Sequence, residues 1–265
     1  MSSSALQKML SSAISHLHND VRFVGAGYYE ELRGKELQDN SFFKIALIYE
    51  SAQMDSVLSD SEHIISTLDH LVTAFSDESA PGTARWTCLF ENPLLLATFT
   101  FLCTDSFRSR SENPTIFWER NGKLTRIIEE QKPNKMNTEL QWVEDRFWVW
   151  LLYAAQRLYS GELFEVISTI DLIRKKALGP MYSIRAHQKP AGLRYLEEII
   201  NPFEQKELQE TLAKHDLASC EIALKAIAKT YVGLRETLDR GDLRRNRRAE
   251  LGSLSYLHDI CQNRH

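Results

Sequence analysis

Apolar residues in the first half of the chain follow two different spacings, which predict a mixture of helices and strands. Apolar positions three and four apart predict a helix over residues 4–18, and a second such stretch over residues 61–75 predicts a helix with Ser61 as its N-cap. Short apolar runs bounded by turn residues predict strands. These runs span residues 21–27, 44–50, 84–91 and 94–104, and Asn121-Gly122 marks a turn after residues 114–120.

From Asn137 onward the helical spacing dominates. A wide apolar stripe begins at Trp142 and runs to Leu158, where Gly161 interrupts it. Further helices are predicted over 162–178, ending at Gly179-Pro180, over 191–200, ending at Asn201-Pro202, from Asp216 to 238, and over 253–262. The whole pattern predicts an α+β protein: a mixed sheet with helices over residues 1–133, followed by a bundle of about five helices over 134–265.

Composition argues against several classes of protein: nucleic-acid-binding, membrane-anchored and disulfide-rich proteins. The 265 residues are 43% hydrophobic and 26% charged, which is typical of a globular protein, and a net charge of −4 gives no reason to expect nucleic-acid binding. No apolar run approaches the roughly 20 residues of a membrane span, so we expect neither a signal peptide nor a membrane anchor. The four cysteines (88, 103, 220 and 261) lack metal-site spacing and predict reduced thiols in a cytoplasmic protein.

Three stretches of the chain resemble one family. They are residues 25–50, with glycines before an apolar strand, residues 82–107, with two strands around a proline turn, and residues 113–124 with 141–181. Together they resemble the polymerase-β-type nucleotidyltransferases, and within them the bacterial adenylyltransferases of aminoglycosides and lincosamides. The resemblance implies a nucleotidyltransferase fold for the first half and the family's helical domain for the second.

The resemblance also implies where catalytic groups should lie. In such enzymes three acids hold two Mg²⁺ ions that bridge the nucleotide triphosphate. Ser41 matches the serine before the first acid, but the three acid positions hold Phe42, Lys44 and Thr98. None of these side chains replaces a carboxylate, so we expect no metal site and no cofactor.

The hypothesis that follows is a binding or regulatory pseudoenzyme. It would hold a nucleotide, another small molecule or a partner protein in an interdomain cleft, with Gly27, Arg33, Ser41 and Lys44 as ligand-binding residues. Lys44 has two readings: a cation that contacts phosphate directly, or a lysine that extends from the strand end to solvent. A homodimer is also possible.

Two alternatives stay open. One is an active nucleotidyltransferase with a rearranged acid set, for example with Asp39 brought to the site, using Mg²⁺ and a nucleotide to modify a small-molecule hydroxyl. The other is a cleft reused for metal-free chemistry.

Several residues of the second half can be interpreted either as functional or as structural. Glu144 or Asp145 is the candidate general base, with Glu144 preferred, although acids near a helix start also complement the helix dipole. The basic run over 240–248 could bind an anionic partner or form a solvated surface. The aromatic group could stack a ligand, but core packing is the preferred reading; its members are Trp142, Phe147, Trp148, Trp150 and Tyr153.

Overall fold

The computed structural model describes residues 3–29, 42–77, 83–92, 94–134 and 140–262, and side chains of the first helix from Met9 onward. The chain divides into two compact units, Met1–Met136 and Asn137–His265. Unit 1 is a mixed sheet with helices and unit 2 is helical, so the α+β class predicted from the apolar pattern is confirmed.

The described residues of unit 1 include six strands in a single sheet. Their order across the sheet is β3-β4-β5-β2-β1-β6; β2 and β5 run parallel and every other neighbouring pair is antiparallel. The elements are α1 Ser3–Asn19, β1 Phe23–Tyr29, β2 Phe43–Tyr49, a 3₁₀ turn Ser51–Gln53, α2 Met54–Ser66, β3 Leu71–Asp77, β4 Ala84–Phe90, β5 Leu95–Cys103, α3 Thr104–Arg108, β6 Thr115–Glu119 and α4 Lys123–Glu130.

The two faces of the sheet are covered differently, because side chains alternate along each strand. On β2, Ile45 and Leu47 belong to a large core that includes residues of α1 and α2. Ala46 and Ile48 point the other way, into a smaller core with residues of α3 and α4. Lys44 precedes Ala46 on this second face, lies outside the smaller core and is exposed.

The helix predicted over residues 61–75 is wrong in its bounds. Helix α2 begins earlier, at Met54, and Ser61 lies inside it, where its hydroxyl donates to the carbonyl of Leu58 and accepts from the indole of Trp86. The chain then turns at His70, whose φ is +60°, into the edge strand β3. Residues 71–75 form a strand despite the helical spacing of their apolar residues, because their backbone groups form hydrogen bonds with β4.

Unit 2 packs its helices around one apolar core. That core draws buried residues chiefly from α5, α6, α7, α10 and α11. The elements are α5 Leu140–Tyr159, α6 Leu163–Ile173, a π-helical segment Arg174–Leu178, α7 Gly179–Arg185, α8 Leu196–Ile199, α9 Pro202–Glu210, α10 Leu217–Leu238 and α11 Arg247–Gln262.

One predicted helix end in unit 2 is wrong, and another predicted helix is shorter than expected. Gly179-Pro180 does not stop the helix; the π-helical segment precedes it and α7 continues with Pro180 in its first turn, where a missing N–H is tolerated. Asn201-Pro202 begins α9, since the Asn201 side chain caps the backbone of Glu204 while the Glu204 side chain caps Asn201 in return. The helix predicted before it is reduced to the single turn of α8.

The start of the long helix α10 is confirmed. Asp216 is its N-cap, and its carboxylate accepts from the backbone N–H of Ser219 at 2.7 Å. Among the described ranges, no helix is long and apolar enough to cross a membrane.

Candidate functional site

A pocket of about 490 Å³ opens on the second face of the unit 1 sheet. Its walls come from the strands β1 to β5, from α3 and from the residues that follow α3. Phe42, Lys44 and Thr98, the three positions where the resembled family carries acids, all line it.

Strand pairing explains how these positions come together. Phe42 and Lys44 are two residues apart, while the residue between them, Phe43, belongs to the opposite core. In the parallel ladder of β2 and β5, Lys44 stands directly beside Thr98. The geometry therefore gathers a ring, an ammonium group and a hydroxyl on one patch of sheet.

Hydroxyl groups extend this patch across the sheet. Thr98 is 6% exposed, and Thr87 of β4 is its register partner. The Thr87 hydroxyl donates to a carboxylate oxygen of Asp77 at 3.3 Å, and Thr100 also lines the pocket. Threonine hydroxyls donate as well as accept, so this floor suits an oxygen-rich ligand group.

Charged groups of both signs surround the hydroxyl floor. Lys44, Arg85 and Arg110 are the cations of the lining, and Asp77 and Glu112 are its carboxylates. Asp77 and Arg85 are register partners across the β3–β4 pair, which sets their charges side by side. The pocket is thus polar and mixed in charge, with cations in slight excess.

Arg110 is committed to the fold rather than to a ligand. It is buried, and its guanidinium donates to the side chain of Asn113 at 2.7 Å and to the carbonyls of Phe107 and Gln131. These bonds tie the end of α3 to the end of α4. Lys44 and Arg85 are the exposed cations of the lining.

Tyr29 closes one side of the pocket. Burial raises the pKa of its hydroxyl to about 12; the negative charge of Glu112 adds to the rise, and Arg110 opposes it. Tyr29 therefore remains a neutral hydrogen-bonding group at physiological pH.

Gly27 is the last residue of the strand that the sequence predicted over residues 21–27. It lies within β1, which continues to Tyr29, and pairs with Ala46 and Ile116 on the two neighbouring strands. A Cβ at Gly27 would lie 2.8 Å from Pro114, so the absence of a side chain serves strand packing. Arg33, Ser41 and Asp39 lie outside the described residues.

No metal cluster is found in the part of the chain that the structure describes: nowhere do three or more His, Cys, Asp or Glu side chains converge.

Glu144, the candidate base, lies inside unit 2 and is 1% exposed. One carboxylate oxygen accepts from the Trp148 indole at 3.1 Å and the Asn246 backbone at 3.2 Å; the other accepts from the Tyr231 hydroxyl and from Arg235 at 3.4 Å. Both oxygens are thus saturated with donors that join α5, α10 and the start of α11.

The surroundings of Glu144 complete a buried charge network. Arg235 is 2% exposed and also forms a two-pronged pair with Glu250, at 2.9 and 3.0 Å. Asp145, one residue along, points outward and accepts from Gln141. In the basic run, Arg245 pairs with Glu236 and with Asp239.

The aromatic group divides into two parts. Phe147 and Trp148 are buried, as core packing predicted, and Phe147 stacks on Tyr231 with ring centres 3.6 Å apart. Trp142 is 38% exposed, and Tyr153 is also largely outside the core.

Sequence reasoning missed the pocket residues on β3 and β4. Asp77 and Arg85 flank residues 78–82, and their pairing depends on a hairpin that a helix assignment for residues 61–75 hides. Val72, Thr73 and Phe75, which are residue types enriched in strands, were the signal that could have revealed it.

No protein-family model matches this sequence, and no curated protein matches it either. Among solved structures, that of an aminoglycoside 6-adenyltransferase from Bacillus subtilis is similar over 96% of this chain and 97% of that chain, with 14% sequence identity and a TM-score of 0.38. These values are too low to place the chain in a family.

Proposed function

We propose that unit 1 is a nucleotidyltransferase-type domain that has lost its metal-binding acids and binds a phosphate-bearing small molecule, such as a nucleotide, without a metal ion. The observation that carries the proposal is that Phe42, Lys44 and Thr98 line one pocket. The three substituted positions are therefore neighbours on one surface.

The chemistry of these side chains supports a direct anion contact. Lys44 is exposed at the pocket, so its ammonium group can meet a phosphate oxygen while remaining partly solvated. Thr98 adds a hydroxyl donor beside it. A cation at this position repels a divalent ion and attracts the anion that the ion would have held.

The remaining lining residues fit the same ligand class. Phe42 offers a half-buried ring on which a base can stack, and Arg85 offers a second cation. Asp77 and Glu112 limit the net positive charge, which favours a ligand with few charges or one with donor groups of its own. Glu144 belongs to the buried network of unit 2, and we assign it a structural role rather than that of a general base.

Calorimetric titration with ATP and GTP, each with and without Mg²⁺, tests the proposal. We expect binding in the absence of Mg²⁺, and a loss of about 10-fold or more in affinity for Lys44→Gln, since a charged hydrogen bond contributes about 1.5–3 kcal/mol. Lys132→Gln is the matched control, because it removes the same charge from an exposed site outside the pocket. Its affinity should equal that of the wild type.

The other outcomes contradict the proposal. Binding that requires Mg²⁺ would support an active enzyme with a rearranged acid set, with Asp77 and Glu112 as the first residues to substitute. Binding of neither nucleotide, or equal binding by Lys44→Gln, would show that this pocket is not a nucleotide site.

A further inference from the structure

A second cavity, of about 630 Å³, lies in the helical unit and is unrelated to the sheet pocket. Its walls are Trp142 of α5, Lys175 and Lys176 of the π-helical segment, Pro180, and residues 190–194 of the connection to α8. A volume of this order is typical of pockets that hold small molecules.

The interior of this cavity is apolar. Trp142, Pro180, Pro190 and Leu193 contribute rings and aliphatic carbon. Arg146 lies over the Trp142 ring, 4.3 Å from its centre, and restrains the indole in its partly exposed position. A flat apolar ligand would therefore meet a preformed surface.

The charged groups of the lining are all cations. Lys175 pairs with Asp171 at 2.6 Å, and Arg194 is held over the ring of Tyr195 and donates to its hydroxyl at 3.0 Å. Lys176 is exposed and makes no hydrogen bond or ion pair with any residue that the structure describes. The lining contains no carboxylate, and Asp171, the partner of Lys175, lies outside it.

Close backbone packing holds the two walls together. A Cβ at Gly179 would lie 2.1 Å from the carbonyl oxygen of Gly192, and Gly192 itself has a φ of +65°. The connection therefore rests directly on the helix backbone. The π-helical segment, a feature that is frequent at functional sites, carries both lysines at this contact.

We propose that this cavity is a binding site for an amphipathic aromatic anion: a flat apolar body against Trp142 and the prolines, with a carboxylate, sulfonate or phosphate group held by Lys176 and Arg194. Burial of the apolar body supplies most of the affinity, and the cations select for the negative charge.

The probe is the aromatic sulfonate 8-anilinonaphthalene-1-sulfonate, followed by its fluorescence and by calorimetry. We expect saturable binding at one site per chain, weakened about 5-fold or more in Lys176→Gln, in line with the loss of about 1 kcal/mol or more for one charged contact. The neutral analogue N-phenyl-1-naphthylamine should bind wild type and Lys176→Gln equally.

Two control variants locate the effect. Lys206→Gln removes an exposed lysine of α9 outside the cavity, and Lys44→Gln alters the pocket of unit 1; both should bind the sulfonate as the wild type does. A loss in Lys44→Gln, equal binding by Lys176→Gln, or unsaturable binding would overturn the proposal. The nucleotide titration tests Lys44 of unit 1, and the sulfonate titration tests Lys176 of unit 2. Either proposal can therefore fail while the other stands.

Discussion

Glu144 of unit 2 and Lys44 of unit 1, two charged residues to which the sequence assigned a functional role, have opposite surroundings. In unit 2, Glu144 and Arg235 are buried and paired with each other, and Glu250 completes the pairing of Arg235. In unit 1, Lys44 stands exposed at an open pocket, beside the hydroxyl of Thr98. The comparison teaches that an acid near the start of a helix and a lysine near the start of a strand cannot be assigned a role from their position in the sequence alone.

Solvation accounts for the difference. A buried charge loses its water and is tolerated only when partners replace that water, which is what the donors around Glu144 do. An exposed charge such as that of Lys44 keeps much of its water and contributes little to stability.

The largest expected effect comes from breaking the buried network. Glu144→Gln should lower the free energy of unfolding by about 3 kcal/mol, the low end of the range for breaking a buried ion pair, because Arg235 loses one buried counter-charge and keeps Glu250. Urea denaturation followed by tryptophan fluorescence measures it. Asp145→Asn and Lys44→Gln are the controls, each expected to change stability by less than about 0.5 kcal/mol. A stable Glu144→Gln variant would contradict the structural role and return Glu144 to the candidate bases.

A smaller effect is expected from the tight backbone contact of unit 2. Gly179→Ala should destabilise the protein by about 1–3 kcal/mol, since the added Cβ meets a backbone oxygen that cannot move aside by rotating. Gly252→Ala, on α11 with open space around the glycine, should instead stabilise by about 0.5–1 kcal/mol. Equal results for the two variants in thermal unfolding would show that the contact is not tight.

The smallest effect concerns a hydroxyl without a partner. The buried Tyr182 hydroxyl has no hydrogen-bond partner in the described chain, so Tyr182→Phe should stabilise by about 1 kcal/mol at pH 7. Tyr231→Phe should do the opposite, because its hydroxyl donates to Glu144.

Alkaline pH sharpens this last comparison. Burial, aided by the charges of Glu207 and Glu204, raises the pKa of Tyr182 from 10 to about 12. The stability that the neutral Tyr182 hydroxyl provides is fully present below the pKa of the unfolded chain. It is lost as pH rises towards the pKa of the folded chain, because between these two values only the unfolded chain ionises. The stability advantage of Tyr182→Phe should widen between about pH 10 and 12 in urea titrations. An advantage that stays constant over that range would contradict the raised pKa.

Much of the fold could be predicted from local pattern. The apolar runs of β2 and β5, the long helical stripe of α5 and the Asp216 cap of α10 all depend on residues close in sequence, and their elements form where the pattern placed them. The resemblance also singled out Phe42, Lys44 and Thr98, and these three residues line one pocket.

Only the tertiary structure decided what local spacing leaves open. Residues 71–77 became a strand because β4 offered hydrogen-bond partners, and Glu144 turned inward where Asp145 turned outward because Arg235 and Tyr231 lie on α10, some 90 residues away in sequence. Asp77 and Arg85 joined the pocket through the same strand pairing. The sequence alone determined the type of most elements, since periodicity is a local property; the partners of each charge were decided by contacts between distant segments, which no local pattern encodes.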